Sequence, residues 1–394
     1  MSGEQGSGAL TMETTRETTS TGTTTQDVEP MTVTATTTVT VTGSTEAASR
    51  ASAGLAKGRR DGAPALALDI GGTKLAAGVV TGRGTVLGRA RRAMPKTLDP
   101  EVTLAAAVDC LHTALSDAGL GGRYDYAGLA GLGVGCGGPM IWPAGEVSPL
   151  NIPSWRAFPL RARLRDAFGG LGVLVHNDAV ALAVGEHWAG TGRDARNLLA
   201  VTVSTGVGGG LILDGRLYHG RSGNAGHIGH IVVDPNGPDC VCGGVGCLEA
   251  IASGPRTVAW ALAEGWKPGD SGSSEATSSS DDAAPPVADG RALAASAAAG
   301  DEIARAAVGR SGNAVGVALA SCAATFDLDL ITVAGGFSQS GPLFWDALRA
   351  AYDRHTGMEF ARAVPVEPSS APNDVALRGA AAFILIPERY AWVG

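Results

Sequence analysis

The stretch Ala65–Val80 reads ALALDIGGTKLAAGVV, in which a polar turn with paired glycines separates two apolar runs. Short apolar runs bounded by glycine predict two strands joined by a tight turn. The same design returns at Leu198–Leu213, LLAVTVSTGVGGGLIL, where a second Gly/Thr turn separates two more apolar runs. The repeat predicts two structural units that each begin with a strand, a glycine turn and a returning strand.

Helical and strand patterns alternate behind each of these hairpins. Strands that precede helices in two successive sets predict a duplicated α/β architecture with a cleft between its halves. The patterns predict further strands at 86–91, 129–134, 173–176 and 330–333, and helices at 101–118, 160–168, 178–188, 255–264, 292–323, 345–354 and 374–385.

Composition separates the folded regions from two other segments. Residues 1–63 are rich in Thr and Ser, and residues 266–290 are rich in Ser, Asp, Pro and Gly, so both are predicted to be disordered. The remaining chain is expected to form two domains, residues 64–178 and residues 179–394.

Charge and hydropathy exclude several classes of protein. The 394 residues carry a formal net charge of −8, which provides no basic surface for nucleic acid. No apolar run approaches the roughly 20 residues of a membrane helix. Because the N-terminus lacks the pattern of a secretory signal, we expect a cytoplasmic protein.

Three cysteines follow a histidine at a spacing typical of a metal site. Cys240, Cys242 and Cys247 lie 10, 12 and 17 residues after His230. Three sulfurs and one imidazole complete a closed tetrahedral zinc site, so a structural Zn²⁺ is expected within a zinc loop at 227–249. His227 is a competing fourth ligand, and spacing alone does not choose between the two histidines.

The two glycine turns have the composition of phosphate-binding loops. Glycines expose backbone N–H groups to an approaching phosphate, while a hydroxyl and an ammonium add further donors. Asp69 at the end of the first strand is placed to hold Mg²⁺ through water. A plain glycine hairpin is the alternative for either turn alone. The candidate phosphate-binding residues are Asp69, Gly71, Gly72, Thr73, Lys74, Thr205, Gly206, Gly208 and Gly209.

Three further polar side chains are candidates for substrate binding or catalysis. Asp178 lies between a buried strand and a helix, where it would act as a general base or as a helix N-cap, and the two roles can coexist. Glu249, just after the last cysteine, is predicted to bind substrate or to be a solvated carboxylate at a helix start. Asn151 belongs to a polar loop that is either a sugar-binding edge or a surface turn.

These motifs together resemble the ROK family, named for repressors, open reading frames and sugar kinases. The resemblance covers about residues 65–386, and the stretch from Gly229 to Glu249 matches the zinc signature of the family at every spacing. It implies a two-domain, actin-like ATPase fold of the hexokinase type with an interdomain cleft. In such a fold, the N-terminal domain would bind sugar and phosphate and the C-terminal domain would bind the nucleotide.

The resemblance also implies roles for individual residues. Kinases of the family transfer the γ-phosphoryl group of ATP to a sugar hydroxyl, usually the 6-OH, with Mg²⁺. Asp178 resembles their catalytic base, and Gly335 and Gly336 resemble the motif on the adenosine side. The residues that would contact the sugar are Asn151, Asn177, Asp178, His227, His230 and Glu249, and those that would hold zinc are His230, Cys240, Cys242 and Cys247.

One position leaves two alternatives for the identity of the sugar substrate. Many family glucokinases have Glu three residues before the zinc histidine, whereas this chain has His227, as N-acetylmannosamine kinases do. We therefore expect a kinase of a hexose or an N-acylhexosamine, of the glucokinase or N-acetylmannosamine kinase type. A dimer or tetramer is expected, with no nucleic-acid or membrane partner. The alternative is a sugar-sensing transcription regulator of the same family without turnover.

Overall fold

The structure, a computed structural model, describes residues 62–120, 126–269, 287–369 and 374–391. Residues 1–61 of the predicted disordered tail lie outside the described residues, as do residues 270–286 of the predicted insertion. Within the described ranges, no helix is long and apolar enough to cross a membrane.

The first half of the chain builds a five-stranded sheet that begins with the predicted hairpin. Its strands are β1 (Ala65–Ile70), β2 (Lys74–Val80), β3 (Val86–Ala93), β4 (Leu132–Cys136) and β7 (Val173–Asn177), and a separate ribbon contains β5 (Met140–Ile141) and β6 (Glu146–Val147). The order is β3-β2-β1-β4-β7. The hairpin pairs are antiparallel, while β1, β4 and β7 run parallel.

The second half repeats this arrangement. Its strands are β8 (Leu198–Val203), β9 (Val207–Leu213), β10 (Arg216–Leu217), β11 (Leu330–Ala334) and β12 (Val366–Pro368). The order β10-β9-β8-β11-β12 again places an antiparallel hairpin beside parallel strands. The duplication predicted from the two hairpins is therefore confirmed.

Helices cover both sheets and fill the space between them. They are α1 (Pro100–Asp117), α2 (Leu160–Ala167), α3 (Asp178–Ala189), α4 (Leu248–Ala252), α5 (Gly254–Ala263), α6 (Gly290–Ala298), α7 (Glu302–Phe326), α8 (Pro342–His355), α9 (Glu359–Arg362), α10 (Val375–Leu385) and α11 (Pro387–Tyr390). Single 3₁₀ turns occur at Tyr126–Gly128, Ile228–His230 and Phe337–Gln339.

Helices α3 and α10 touch backbone to backbone between the two sheets. A Cβ added at Gly379 would lie 1.6 Å from the carbonyl oxygen of Ala181, and one at Gly185 would lie 1.9 Å from that of Val375. Glycine is therefore required on both sides of this contact. Helix α3 packs on β8 and β9, while α10 packs on β1 and β4, so the pair joins the two sheets.

Two sequence predictions are wrong in detail. The helix predicted at 292–323 is two helices, because Gly300 has a φ of +102° and Asp301 caps the next helix by accepting from the N–H of Ala304. Trp266, assigned to the disordered insertion, is only 2% exposed and belongs to the core of the second half. The N–H of Trp266 donates to the carbonyl of Ala261 at 2.9 Å, so the backbone continues α5 into the core before the polar stretch begins.

The domain boundary after residue 178 stays a prediction, but the end of the chain crosses it. Helix α10 comes from the C-terminal half and lies on the sheet of the N-terminal half. A carbonyl of this helix, that of Ala380, would be only 1.7 Å from a Cβ at Gly133 of β4. Helix α10 therefore belongs structurally to the first sheet.

The helix contact leads to a stability prediction. Gly379→Ala places a methyl group against the backbone of α3, which cannot move as a flexible side chain can, so we expect a loss of about 1–3 kcal/mol. Gly309→Ala is the matched control, since it lies within α7 with no atom within 4 Å of the added Cβ. It should gain about 0.5–1 kcal/mol from helix propensity. Urea unfolding of both variants measures the difference, and equal stabilities would contradict the backbone contact.

Candidate functional site

The parallel strands of the first sheet bring three segments to one edge. Ile70 pairs with Cys136, and Cys136 pairs with Asn177, so β1, β4 and β7 end in register. The first glycine turn, the loop after β4 and the start of α3 therefore lie side by side. This is the edge at which ligands bind in open α/β sheets.

The first glycine turn is compact and open to solvent at its tip. The N–H of Gly71 donates to the carbonyl of Lys74 at 3.0 Å, and the N–H of Met94 donates to the carbonyl of Thr73 at 3.0 Å. The side chains of Thr73 and Lys74 are exposed. The turn thus presents a hydroxyl and an ammonium group to a ligand, as its composition predicts.

Asp69 and Asp178 approach each other across a glycine. A Cβ at Gly135 would lie 3.3 Å from the Cα of Asp178 and 3.8 Å from Oδ1 of Asp69, so a larger residue would separate the two. Desolvation and the neighbouring charge of Asp178 raise the pKa of Asp69 to about 7. The cations of Lys74 and Arg91 oppose this rise. Two carboxylates at one desolvated edge form a site that favours a cation or a proton.

Asp178 is the first residue of α3, and the N-cap of this helix is the preceding residue, Asn177. Oδ1 of Asn177 accepts from the N–H of Ala179 at 2.9 Å, which makes Asn177 the N-cap. Oδ1 of Asp178 also accepts from that N–H, at 2.9 Å. Desolvation nevertheless raises the pKa of Asp178, with the charge of Glu249 contributing to the rise. A carboxylate that is not needed as the cap and has a raised pKa is suited to accept a proton.

The second glycine turn and the Gly335–Gly336 segment lie together. The N–H of Ser204 donates to the carbonyl of Gly206 at 2.8 Å, which closes the turn. Gly335 has a φ of +102°, and a Cβ there would lie 2.3 Å from the carbonyl oxygen of Val203. Only glycine allows this approach. The structure therefore places Gly335 and Gly336, the predicted adenosine-side motif, beside the second glycine turn.

Glu249 joins the cysteine loop to the second turn. Its Oε2 accepts from the N–H of Val207 at 2.9 Å, and it would lie 2.7 Å from a Cβ at Gly206. Since Glu249 also acts on the pKa of Asp178, its carboxylate lies within electrostatic reach of the first sheet's edge. The carboxylate is therefore part of the cleft, at the first turn of α4, a short helix that the sequence patterns missed.

Side chains from both halves converge at Gly138. A Cβ there would lie 3.3 Å from Nδ2 of Asn177, 3.4 Å from Cε1 of His227 and 3.8 Å from its Nε2. Nε2 of His227 is buried without a hydrogen-bond partner among the described residues. A buried polar atom without a partner is costly, and a bound ligand would remove that cost. The pair of Asn177 and His227 thus marks the space between the halves as a binding position.

Asn151 packs against the first turn from the opposite side. A Cβ at Gly72 would lie 2.8 Å from Nδ2 of Asn151, and a Cβ at Gly137 would lie 3.2 Å from its Oδ1. A groove of about 530 Å³ begins here, and it is lined by the first turn, residues 93–98 and residues 151–154. The amide is therefore at the edge of the site rather than on a distant surface turn.

The predicted metal ligands meet in space. His230, Cys240, Cys242 and Cys247 offer one ligand atom each, all within 4.8 Å of one another. Nδ1 of His230 lies 3.8 Å from Sγ of Cys240, and the Sγ atoms of Cys242 and Cys247 are 3.8 Å apart. A tetrahedron with zinc–sulfur bonds of about 2.3 Å has edges of roughly 3.8 Å. The donor set therefore fits zinc, and His227 lies outside it.

One pair of residues near the site was missed by the sequence patterns. His176 and His219 contact each other through their rings, although they are far apart in the chain. A single histidine, such as His176 within the buried strand β7, has no local pattern that distinguishes it from a core residue. Only their meeting across the two halves identifies them.

Comparison with known proteins agrees with this geometry. The model of the ROK family matches residues 65–386. The glucokinase of Streptomyces coelicolor is 34% identical over 289 residues, which cover 73% of this chain and 87% of that protein. The N-acetylmannosamine kinase of Citrobacter koseri is 35% identical over 307 residues, covering 74% and 94%.

A solved structure shows the same fold. The ROK family glucokinase of Streptomyces griseus, in complex with glucose and AMPPNP, superposes with a TM-score of 0.66 at 31% identity, covering 81% of this chain and 98% of that one. This match and the two sheets of equivalent order confirm the two-domain, actin-like fold of the hexokinase type. The chain therefore belongs to the ROK family.

Proposed function

We propose that this protein is an ATP- and Mg²⁺-dependent sugar kinase that phosphorylates a hexose or an N-acylhexosamine at the 6-hydroxyl. The proposal rests on one observation: Asp178, with its raised pKa, lies near Asp69 at the edge of the first sheet and within electrostatic reach of Glu249 from the cysteine loop. The names of the relatives, glucokinase and N-acetylmannosamine kinase, support the same reaction.

Asp178 acts as the general base in this reaction. The acceptor hydroxyl attacks the γ-phosphorus in line, and the carboxylate takes the proton as the new O–P bond forms and the bond to the leaving diphosphate breaks. The N-cap of α3 is supplied by Asn177, so Asp178 is available to the substrate. Catalysis then depends mainly on positioning and on stabilising phosphate charge.

The two turns bind the phosphates from opposite halves. The backbone N–H of Gly72, the hydroxyl of Thr73 and the ammonium of Lys74 would face the transferred group, while the N–H of Gly71 closes the turn on the carbonyl of Lys74. The second turn supplies Thr205, Gly206, Gly208 and Gly209, with Gly335 and Gly336 on the adenosine side. Bound Mg²⁺ would neutralise phosphate charge, and Asp69 is the carboxylate that would hold it through water.

The sugar occupies the space around Gly138. Asn177 and His227 face it from the two halves, Asn151 closes one side, and Glu249 and His230 come from the cysteine loop. The ligand set of His230, Cys240, Cys242 and Cys247 would hold a structural Zn²⁺. That ion would supply a fixed crosslink that orients His230 and Glu249, because four protein ligands leave no open position.

His227 bears on which sugar is preferred. An imidazole supplies one donor and one acceptor, whereas the Glu found in many family glucokinases supplies only acceptors. The partly buried His227, with a buried and unpartnered Nε2, is suited to a substrate group that a carboxylate would not bind. N-acetylmannosamine and glucose are the first substrates to compare. Sugar-dependent ADP release separates the kinase from the alternative, a sugar-sensing regulator.

Asp178→Asn tests the general base. We expect kcat to fall by about 10²- to 10⁴-fold because the amide cannot take the proton, while the sugar still binds. Asp301→Asn is the matched control, since Asp301 caps α7 by accepting from the N–H of Ala304 at 2.7 Å and lies outside the cleft. A coupled ADP-release assay measures both variants. Near-normal turnover by Asp178→Asn would refute the assigned role.

The metal centre predicts one zinc per chain in the purified protein, measured by atomic emission. Cys247→Ser should lose the zinc and, with it, most sugar affinity, because Glu249 follows that ligand in α4. Cys322→Ala is the control, since Cys322 is buried in α7 away from the loop. Full zinc content in Cys247→Ser, or none in the unaltered protein, would contradict the site.

His227→Glu tests sugar preference. The carboxylate should raise kcat/KM for glucose relative to N-acetylmannosamine by about tenfold, since one or two charge-assisted hydrogen bonds to hydroxyls replace a neutral one. His227→Gln is the control that retains a neutral donor and acceptor. The ratio of the two kcat/KM values is the measurement, and an unchanged ratio in His227→Glu would exclude this position from specificity.

A further inference from the structure

Two buried histidines from opposite halves of the molecule share a hydrogen bond. His176 lies in β7, and His219 follows β10; the two residues are 3% and 7% exposed. Nε2 of His176 lies 3.1 Å from Nδ1 of His219. Neither ring belongs to the reaction described above, so the pair needs a separate explanation.

The backbone determines which ring donates. The N–H of Asn177 donates to Nδ1 of His176 at 2.8 Å, so that nitrogen carries no proton. The neutral ring then has its proton on Nε2 and donates it to Nδ1 of His219. Burial holds the pKa of His176 well below its usual range and lowers that of His219 to about 4, so both rings are neutral at pH 7.

Each histidine is tied to one side of the proposed sugar site. His176 bonds the backbone of Asn177, whose side chain faces Gly138. The carbonyl of His219 accepts from the N–H of Ala225 at 3.2 Å, two residues before His227. The hydrogen bond between the rings therefore links the chain segment that contains Asn177 to the segment that leads to His227.

Trp142, in the segment that follows Gly138, packs against both histidine rings. Its ring stacks on His219 with centroids 4.8 Å apart and lies 5.6 Å from that of His176. Gly223, with a φ of +76°, allows the backbone to approach Trp142, because a Cβ there would lie 2.6 Å from the Cβ of the tryptophan. Three chain segments thus meet at one aromatic contact.

We propose that His176 and His219 are positioning residues whose ring-to-ring hydrogen bond sets the separation of Asn177 and His227 for the sugar. This inference rests on the proposed function, since it concerns the same acceptor site. The two histidines do not touch the substrate. They act by holding the two halves in one relative position at the sugar site. Phosphate binding does not depend on them.

His219→Phe tests the proposal because it keeps an aromatic ring against Trp142 and removes the acceptor nitrogen. The sugar KM should rise by about tenfold, as expected when a buried donor on His176 loses its partner, while the KM for ATP stays unchanged. His219→Asn places an amide oxygen near the position of Nδ1 and should recover most of the lost affinity. Steady-state kinetics with each substrate varied measure both effects.

His112→Phe is the matched control. His112 also makes a histidine hydrogen bond, from Nε2 to the hydroxyl of Tyr126 at 3.0 Å, but it lies on α1 away from the cleft. It should leave the sugar KM unchanged. An unchanged sugar KM in His219→Phe, or equal increases in the KM values of sugar and ATP, would overturn the proposal.

A second measurement does not depend on activity. Nitrogen-15 NMR of the imidazoles should show both His176 and His219 as neutral rings protonated at Nε2, and the signal of His176 should move in His219→Phe. The opposite tautomer on His176 would overturn the inference even if the kinase is active. If the unaltered protein turns over no sugar, the proposed function fails instead, and the NMR result still tests the hydrogen bond.

Discussion

The two halves of this molecule are joined by a backbone contact between helices α3 and α10. Gly185 and Gly379 allow each helix to reach a carbonyl of the other, and Gly133 allows α10 to reach the first sheet in the same way. Helix α3 begins at Asp178, so the contact that joins the sheets also sets the position of the proposed base. A larger residue at either glycine would move the base relative to both glycine turns.

Desolvation gives this position its chemistry. The parallel strands end at one edge, which brings Asp69 and Asp178 together in a place with little water. The pKa values of both rise mainly because the charged forms lose solvation, and the charge of Asp178 adds to the rise at Asp69. The second half closes this edge with Glu249, which is held by the N–H of Val207 and acts on Asp178 from across the cleft. Under the proposed function, cation binding, phosphate binding and proton transfer would therefore all take place at one point between the sheets.

Much of this arrangement could be predicted from short-range patterns. Each of three features has a local signature: the glycine turns, the duplicated strands and the cysteine cluster. The residue types that identify each feature lie close together in the chain. Trp266 and Gly300 show where such patterns fail. A tryptophan that begins a polar stretch looks exposed, and a glycine between Ala-rich segments looks like a tolerated helical residue. Their roles depend on partners that lie elsewhere in the chain.

The sequence by itself determined the family, the hairpin that begins each half and the set of candidate metal and phosphate ligands, because these depend on residue type and spacing. The tertiary structure decided which residues act together. It shows that His230, and not His227, lies with the three cysteines as the fourth candidate metal ligand. It also shows that Asn177, and not Asp178, is the N-cap of α3. It also brought His176 to His219. Contacts between residues far apart in the chain arise only when the sheets and helices pack, so no local pattern contains them.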